Sequence, residues 1–298
     1  MKSMRSFFTF SVSILIVFVL IGCNADQQSQ RTGTRRQQKK QIDLLEKINQ
    51  RGTIIVSTDP NYAPQSYINE AGEFAGFDID VAREIGNRLG VVVEFVTPDW
   101  DLITAGSWSD RWDMSVGSVA ITEKRKERLD FSKPAYYYTS AQFAATKNLG
   151  LKTIEDISGQ NVCVCTETVY EYWLNGEKDR LGLPENSVFA DPPANVKVMP
   201  MKTDNECVQS IQSGREEFAI LLSSHTIIDA AIENGVPIEK VGSAVFAEHL
   251  AVAFDKKSSA NNANLLQKVS QIISDMHKDE TLSRLSKQHF DGRDYTKQ

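Results

Sequence analysis

Several residues around one predicted strand–helix junction have the types and spacing that bind a small carboxylate. Segment 113–116 is predicted to be a buried strand that ends at Gly117 and Ser118, and a helix is predicted to begin at Thr122. A helix start offers unpaired backbone N–H groups, and Arg125, one turn later, can hold a carboxylate through two parallel hydrogen bonds. We expect the Ser118 hydroxyl to donate a third. The alternative is that Arg125 lies on the surface in a charged first turn.

Two further predicted strands, 53–57 and 91–96, also end in loops with polar and aromatic residues. The first loop carries Asp59 and Tyr62, and the second carries Trp100. Carboxyl ends of parallel strands lie at one edge of a sheet, so we expect these loops to converge with the junction described above. The sequence therefore predicts a binding crevice at this edge.

A second strand–helix series follows the first, after a strand long enough to cross between domains. The predicted fold class is α/β, with two Rossmann-like α/β lobes joined by a two-strand hinge. A crevice between such lobes can close on a small molecule. The predicted limits are residues 42–138 and 250–298 for the first lobe, 139–249 for the second, and hinge crossings near 138–146 and 245–250.

The N-terminal region has the pattern of an export signal. The apolar run 7–22 is shorter than the roughly 20 residues of a membrane-spanning helix, although a retained anchor is the alternative. Its end, Leu-Ile-Gly-Cys at 20–23, resembles the lipobox of bacterial lipoproteins, in which the cysteine is lipidated. We therefore predict a signal peptide over 1–22, lipidation of Cys23, a polar tether over 23–41 anchored to the membrane, and an extracytoplasmic location in the periplasm or at the cell surface.

Charge and cysteine content limit the possible ligands. The formal net charge is −6, and it becomes −8 without residues 1–22, which hold two positive charges and no negative ones. An acidic body argues against nucleic-acid binding. Cys163 and Cys165 share one strand face, so either can bridge Cys207. Scattered histidines and the absence of paired ligand spacing argue against zinc, and we expect neither a metal site nor a cofactor.

Four motifs follow one another along the chain. They are Thr58-Asp59-x-x-Tyr62-x-Pro64, Gly76-Phe77-Asp78-Ile79-Asp80, Gly117-Ser118-x-x-Ile121-Thr122-x-x-Arg125 and Asp130-Phe131-Ser132. In the second motif, Asp78 is also predicted to cap the helix that follows. This ordered series resembles the family 3 extracellular solute-binding proteins, the polar amino acid receptors of ATP-driven importers, and the resemblance spans about residues 42–292.

The resemblance implies a set of ligand-binding residues. A carboxylate-binding arginine falls on Arg125, aromatic walls fall on Tyr62 and Trp100, and a loop acid falls on Asp59. The remaining implied positions are Gly117 and Ser118 beside the arginine and, from the second lobe, Thr168 and Val169.

Two positions depart from the family pattern. Many members carry an aspartate that pairs with the ligand ammonium where this chain has Ser223, and a buried ammonium without an anion is costly. Either Asp59, Glu167 or Asp204 replaces that acid, or the ligand lacks an α-ammonium. The second departure is Ala120, where related members often have a hydroxyl.

The resemblance implies a monomeric, lipid-anchored binding protein that captures an amino acid or related carboxylate and delivers it to the permease of an ABC importer. One alternative is an enzyme similar to the cyclohexadienyl dehydratases, which resemble this fold; Glu167 is then the candidate acid or base. Another is a sensing module whose closed form is presented to a membrane receptor.

Overall fold

The computed structural model describes residues 42–215 and 217–297 of the 298-residue chain. The predicted signal peptide (1–22), the tether (23–41) and the lipidation site Cys23 lie outside the described residues. Within the described part, no helix combines the length and the apolar composition that crossing a bilayer requires.

Short strands and helices alternate along the first half of the described chain. They are α1 (Leu44–Arg51), β1 (Thr53–Ser57), β2 (Asn61–Tyr62), β3 (Ser66–Ile68), β4 (Phe74–Ala75), α2 (Phe77–Leu89), β5 (Val92–Val96), α3 (Trp100–Ala105), β6 (Met114–Ala120), α4 (Glu123–Lys126) and β7 (Leu129–Phe131). The strands β2, β3 and β4 form a small antiparallel sheet of their own.

The second half continues the alternation and closes with two longer helices. Its elements are β8 (Tyr137–Thr146), β9 (Asn161–Cys165), α5 (Val169–Leu174), α6 (Lys178–Leu181), β10 (Lys197–Met201), α7 (Asp204–Gln212), β11 (Ile220–Ser224), α8 (His225–Glu233), β12 (Ile238–Asp255), α9 (Ala263–Lys278) and α10 (Thr281–His289). In α9 the buried apolar residues recur at helical spacing: Leu265, Val269, Ile272, Ile273 and Met276. This spacing turns one face of α9 towards the core.

In the described part of the chain, nine strands form one mixed sheet. Its order is β10-β9-β11-β8-β12-β6-β1-β5, and β7 also pairs with β12. β1 pairs in parallel with β5 and β6, while β9 pairs in parallel with β10 and β11. The antiparallel strands β8 and β12 lie between these two parallel groups and connect them. The predicted fold of two α/β lobes joined by two strands is confirmed, while the exact lobe limits stay a prediction.

Two local expectations are wrong. Gly117 and Ser118 do not end a strand, because β6 continues to Ala120 with Ser118 in the left-handed region (φ 54°). Asp78 is not a helix cap, because α2 begins after Gly76, which has φ 119° and packs so closely on the Gln65 carbonyl that a Cβ atom would lie 2.4 Å from its oxygen. The Asp78 side chain is therefore free to turn inward.

One disulfide fixes the second lobe. Of the two pairings left open by the sequence, the structure contains Cys163–Cys207, with Cα atoms 5.8 Å apart and a sequence separation of 44 residues. Closing a loop of this length typically stabilises a fold by about 2–4 kcal/mol. The bond ties β9 to α7, so it also fixes the strand end and the helix start that Cys165 and Asp204 occupy beside it.

Candidate ligand-binding cleft

Side chains from both lobes surround a cavity at the ends of the parallel strands. It contains ≈ 450 Å³ of space outside protein atoms, part of it open to solvent. Strand ends and helix starts meet there, which is where open α/β sheets bind ligands. The lining residues are Asp59, Tyr62, Trp100, Gly117, Ser118, Ala120, Arg125, Cys165, Thr168, Val169, Tyr170, Asp204 and Glu248.

Arg125 supplies the positive charge of the cavity wall. Its side chain is 6 % exposed, and its guanidinium donates to the carbonyls of Ala120 (3.0 Å) and Glu167 (3.4 Å). The guanidinium also lies 5.2 Å from the centre of the Trp100 ring. It forms no ion pair with any described residue, and burial lowers the pKa of Arg125. Because a buried cation without a counter-charge is costly, an anion entering the cavity would stabilise it.

Carboxylic acids from three separate elements face the same cavity. Asp204, 4 % exposed, accepts a hydrogen bond from the Ser223 hydroxyl at 2.5 Å, and burial raises its pKa to about 6. Glu248, 3 % exposed, accepts one from the Tyr170 hydroxyl at 2.7 Å, and burial raises its pKa to about 7. Burial also raises the pKa of Asp59. The cavity is therefore acidic apart from Arg125 and suits a molecule that carries both a carboxylate and an ammonium.

Aromatic rings form the apolar part of the wall. The Trp100 ring lies beneath the Arg125 guanidinium in a cation–π contact, and its indole N–H donates to the Glu167 carbonyl at 3.2 Å. Tyr62 and Tyr170 lie in surroundings that raise the pKa of both phenols well above the usual value, chiefly through burial. A ligand between these rings would be shielded from water on its apolar faces.

The two sides of the cleft contact each other around the cavity. Besides the Trp100 contact, the Lys202 ammonium pairs with the Asp99 carboxylate at 2.9 Å. The backbone N–H of Glu123 donates to the Gly182 carbonyl, also at 2.9 Å. The structure thus has the cleft closed, with the charged groups of the cavity largely withdrawn from solvent.

Residues 54–292 match the model of the bacterial extracellular solute-binding proteins, family 3. The chain belongs to this family. The L-cystine-binding protein TcyJ of Escherichia coli (strain K12) is 30% identical to it over 261 residues, which cover 85% of this chain and 88% of TcyJ. The L-cystine-binding protein TcyA of Bacillus subtilis (strain 168) is 26% identical over 297 residues, which cover 95% of this chain and 96% of TcyA. The predicted family membership is confirmed.

Solved structures agree with this fold. A substrate-binding protein of an ABC uptake transporter from Streptococcus pneumoniae, crystallised with histidine, superposes with a TM-score of 0.73 at 21% identity, covering 86% of this chain and 99% of that one. The ancestral amino acid-binding protein AncCDT-1, a precursor of cyclohexadienyl dehydratase, gives 0.68 at 27% identity, with 83% and 99% covered. These neighbours show the two-lobed architecture of solute-binding proteins.

In this family 3 protein the cavity brings together most of the residues that the sequence singled out. Those on its wall are Asp59, Tyr62, Trp100, Gly117, Ser118, Arg125, Thr168, Val169 and the secondary candidate Asp204. Thr168 caps α5, and its hydroxyl donates to the Cys165 carbonyl at 2.6 Å. The hydroxyl is therefore occupied, and the start of α5 offers backbone N–H groups instead. That each residue touches a ligand stays a prediction.

Two candidate residues lie elsewhere than expected. Ser223 is fully buried behind the wall, where it holds Asp204 rather than facing a ligand. Glu167 presents only its backbone carbonyl to Arg125 and Trp100. Its carboxylate bonds to Arg180 of α6 at 2.6 Å and accepts from the Tyr172 hydroxyl at 2.8 Å. Glu167 has a left-handed backbone (φ 58°), which sets this direction of the side chain. Neither side chain is among those that line the cavity.

Glu248 and Tyr170 are wall residues that the sequence did not reveal. Glu248 lies within β12, in the otherwise apolar stretch between Val245 and Phe254, apart from the neighbouring His249. A charged residue in a buried strand needs a partner or a function, so its position was a usable signal. Tyr170 carries no comparable signal, because an aromatic residue in the first turn of a helix is more often part of the core.

Proposed function

We propose that this solute-binding protein captures an amino acid or a similar small carboxylate between its lobes. The observation that carries the proposal is the buried guanidinium of Arg125 on the cavity wall, which forms no ion pair with any described residue. A ligand carboxylate can accept its two parallel N–H bonds, while Asp204 and Glu248 supply negative charge for an ammonium. The relatives named for L-cystine binding and the neighbour crystallised with histidine support an amino acid as the ligand class.

We also propose binding rather than catalysis. The kinship of AncCDT-1 to a dehydratase is the reason to consider chemistry. Glu167, the acid on which that alternative depended, directs its carboxylate to Arg180 and not into the cavity. A general acid must come within hydrogen-bond reach of its substrate, so this orientation of Glu167 favours binding over catalysis.

Delivery to the permease of an ABC importer completes the proposal, with the protein acting as a monomer. Closure of the lobes on a solute buries the ligand and creates one compact surface that a membrane partner can recognise. The tether over 23–41 would let the closed form reach the permease while lipidated Cys23 holds it at the membrane.

Lipid anchoring predicts a difference between two forms of the full-length precursor. Wild type should fractionate with membranes and take up labelled palmitate in cells, whereas Cys23→Ala should lose the label and leave the membrane fraction. One acyl chain binds membranes only marginally, so stable fractionation of wild type with membranes would mean that a second chain or another membrane contact adds to the first. Labelling of the Cys23→Ala variant at wild-type level would contradict the lipobox assignment.

A thermal-shift screen of the mature protein tests the proposed function itself. The panel contains amino acids including L-cystine, their deaminated analogues, and polyamines. We expect one or a few amino acids to raise Tm, because a ligand at 100 times its Kd stabilises the native state by about 2.7 kcal/mol. A Tm increase with polyamines but with no carboxylate would overturn the proposal, since Arg125 would then have no role in recognition.

A further inference from the structure

A buried carboxyl group lies directly behind the ligand-facing loop. Asp78, in the first turn of α2, is fully buried, and its two oxygens accept from the Ser118 hydroxyl (2.7 Å) and the Tyr136 hydroxyl (2.8 Å). Asp78 belongs to the Gly76–Asp80 motif, which the ligand-binding site described above does not otherwise use. Ser118, in contrast, is on the cavity wall. The hydrogen bond from Ser118 to Asp78 thus joins the motif directly to the site.

The surroundings of Ser118 fix its backbone as well as its side chain. Its N–H donates to the Tyr136 hydroxyl at 2.9 Å, and its own hydroxyl lies 2.6 Å from that of Tyr137. Ser118 has a left-handed backbone (φ 54°), which a non-glycine residue adopts only when its surroundings enforce it. Asp78, Tyr136 and Tyr137 are those surroundings.

Counting protons assigns a direction to each bond. When Asp78 is ionised its carboxylate only accepts, so in that form Ser118 and Tyr136 each give their single hydroxyl proton to Asp78. The Ser118 oxygen must then accept the Tyr137 proton. That leaves its second lone pair for the cavity and no proton to donate there. The expectation that Ser118 donates to a ligand carboxylate is incompatible with this arrangement.

We propose that Asp78 is a positioning residue that withdraws the Ser118 proton and thereby makes the Ser118 hydroxyl oxygen an acceptor for the ammonium group of the solute. The inference rests on the proposed function, because it presupposes an amino acid in the cavity. In this arrangement Arg125 binds the carboxylate of the solute, while Ser118 and the cavity acids bind its ammonium group. A solute without an ammonium gains nothing from Ser118.

The protonation state of Asp78 makes this assignment dependent on pH. Burial raises its pKa to about 7, while the hydrogen bonds from Ser118 and Tyr136 and the charge of His289 oppose the rise and Asp59 adds to it. Near neutral pH a fraction of the protein therefore carries protonated Asp78. In that form Asp78 can donate to Ser118, and the Ser118 proton can turn to the cavity, where it repels an ammonium. The contribution of Ser118 to amino acid affinity should accordingly decline as the pH falls below 7.

The test compares ligands that differ only in the ammonium. The probe pairs are L-histidine with imidazolepropionate and L-cystine with dithiodipropionate, measured by calorimetry on wild type and Ser118→Ala. We expect Ser118→Ala to weaken the amino acid about tenfold and its deaminated partner less than twofold, since a hydrogen bond to a charged group is lost only in the first case. Equal weakening of both partners, or of neither, would overturn the inference.

Asp78→Asn supplies the second arm. It keeps the size of the side chain but replaces one of the two accepting oxygens with an NH2 donor. We therefore expect the same selective loss, with little added effect of Ser118→Ala in that background. The wild-type to Ser118→Ala affinity ratio, measured between pH 8 and pH 5.5, should shrink towards one at low pH; a constant ratio would contradict the proton assignment. If Asp78→Asn does not fold, the Ser118→Ala comparison decides alone. If wild type binds neither L-histidine nor L-cystine, the pair becomes the amino acid with the largest thermal shift and its deaminated analogue. Failure of wild type to bind any amino acid of the panel would instead count against the proposed function.

Discussion

Replacing Arg125 by alanine should reduce the affinity for the solute by roughly 100-fold or more, which corresponds to about 3 kcal/mol. The guanidinium is the positive charge on the cavity wall and is buried without an ion pair to any described residue. A bound carboxylate in the variant would be withdrawn from water with no counter-charge. Calorimetry with the amino acid that gives the largest thermal shift measures the effect.

Arg125→Lys and Arg128→Ala are the matched controls. Lysine keeps the positive charge but lacks the planar guanidinium that forms two parallel hydrogen bonds. The affinity of Arg125→Lys for the solute should therefore lie between those of wild type and Arg125→Ala. Arg128 is exposed and lies in the same short stretch but not on the cavity wall, so its removal should change Kd less than twofold. The ligand-free Tm of Arg125→Ala should equal or exceed that of wild type, because a buried uncompensated charge is removed. Wild-type affinity in Arg125→Ala would refute the assignment of the carboxylate site.

The sequence predicted those features of the site that depend on residues close together in the chain. Thr122 caps the start of α4 through its hydroxyl, and Arg125 follows within the first turn of that helix, as the residue types predict. Asp59 and Trp100 each follow the carboxyl end of a parallel strand. The direction of these strands alone therefore predicts that both residues lie at the same edge of the sheet. Short-range rules were sufficient in these cases because the backbone geometry of each residue is set within one turn.

Contacts between segments that are far apart in the chain could not be predicted from the sequence. Asp204 and Ser223 are 19 residues apart, and only the packing of α7 beside β11 reveals that the serine holds the acid. The sequence identified Ser223 as a missing acid and Asp204 as one of three replacements, without a means of choosing. Glu167 was misplaced for a related reason: a left-handed backbone turned its carboxylate outward, and residue type alone does not predict that conformation for glutamate.

Asp204→Asn should separate binding from stability. Asp204 accepts a hydrogen bond from Ser223, the residue at which the family resemblance implies an ammonium-binding aspartate in other members. The substitution keeps the shape and can still accept the Ser223 proton, but it removes the charge. We expect amino acid affinity to fall by roughly 30-fold or more, because one partner of a buried charge pair is lost, while the affinity of the deaminated analogue stays the same or rises. Equal losses for both ligands would show that Asp204 does not pair with an ammonium.

The same substitution should not destabilise the ligand-free protein at neutral pH. Burial raises the pKa of Asp204 from 3.8 to about 6, so between these values the folded state binds more protons than the unfolded state. Stability therefore decreases as the pH rises through this window and stays lower above it, by an amount on the order of 2–3 kcal/mol. Asparagine carries no such cost, so the Tm of Asp204→Asn at pH 7.5 should match or exceed wild type, and the difference should vanish near pH 4. A variant that loses both binding and stability at pH 7.5 would indicate that Asp204 holds the second lobe together rather than holding the solute.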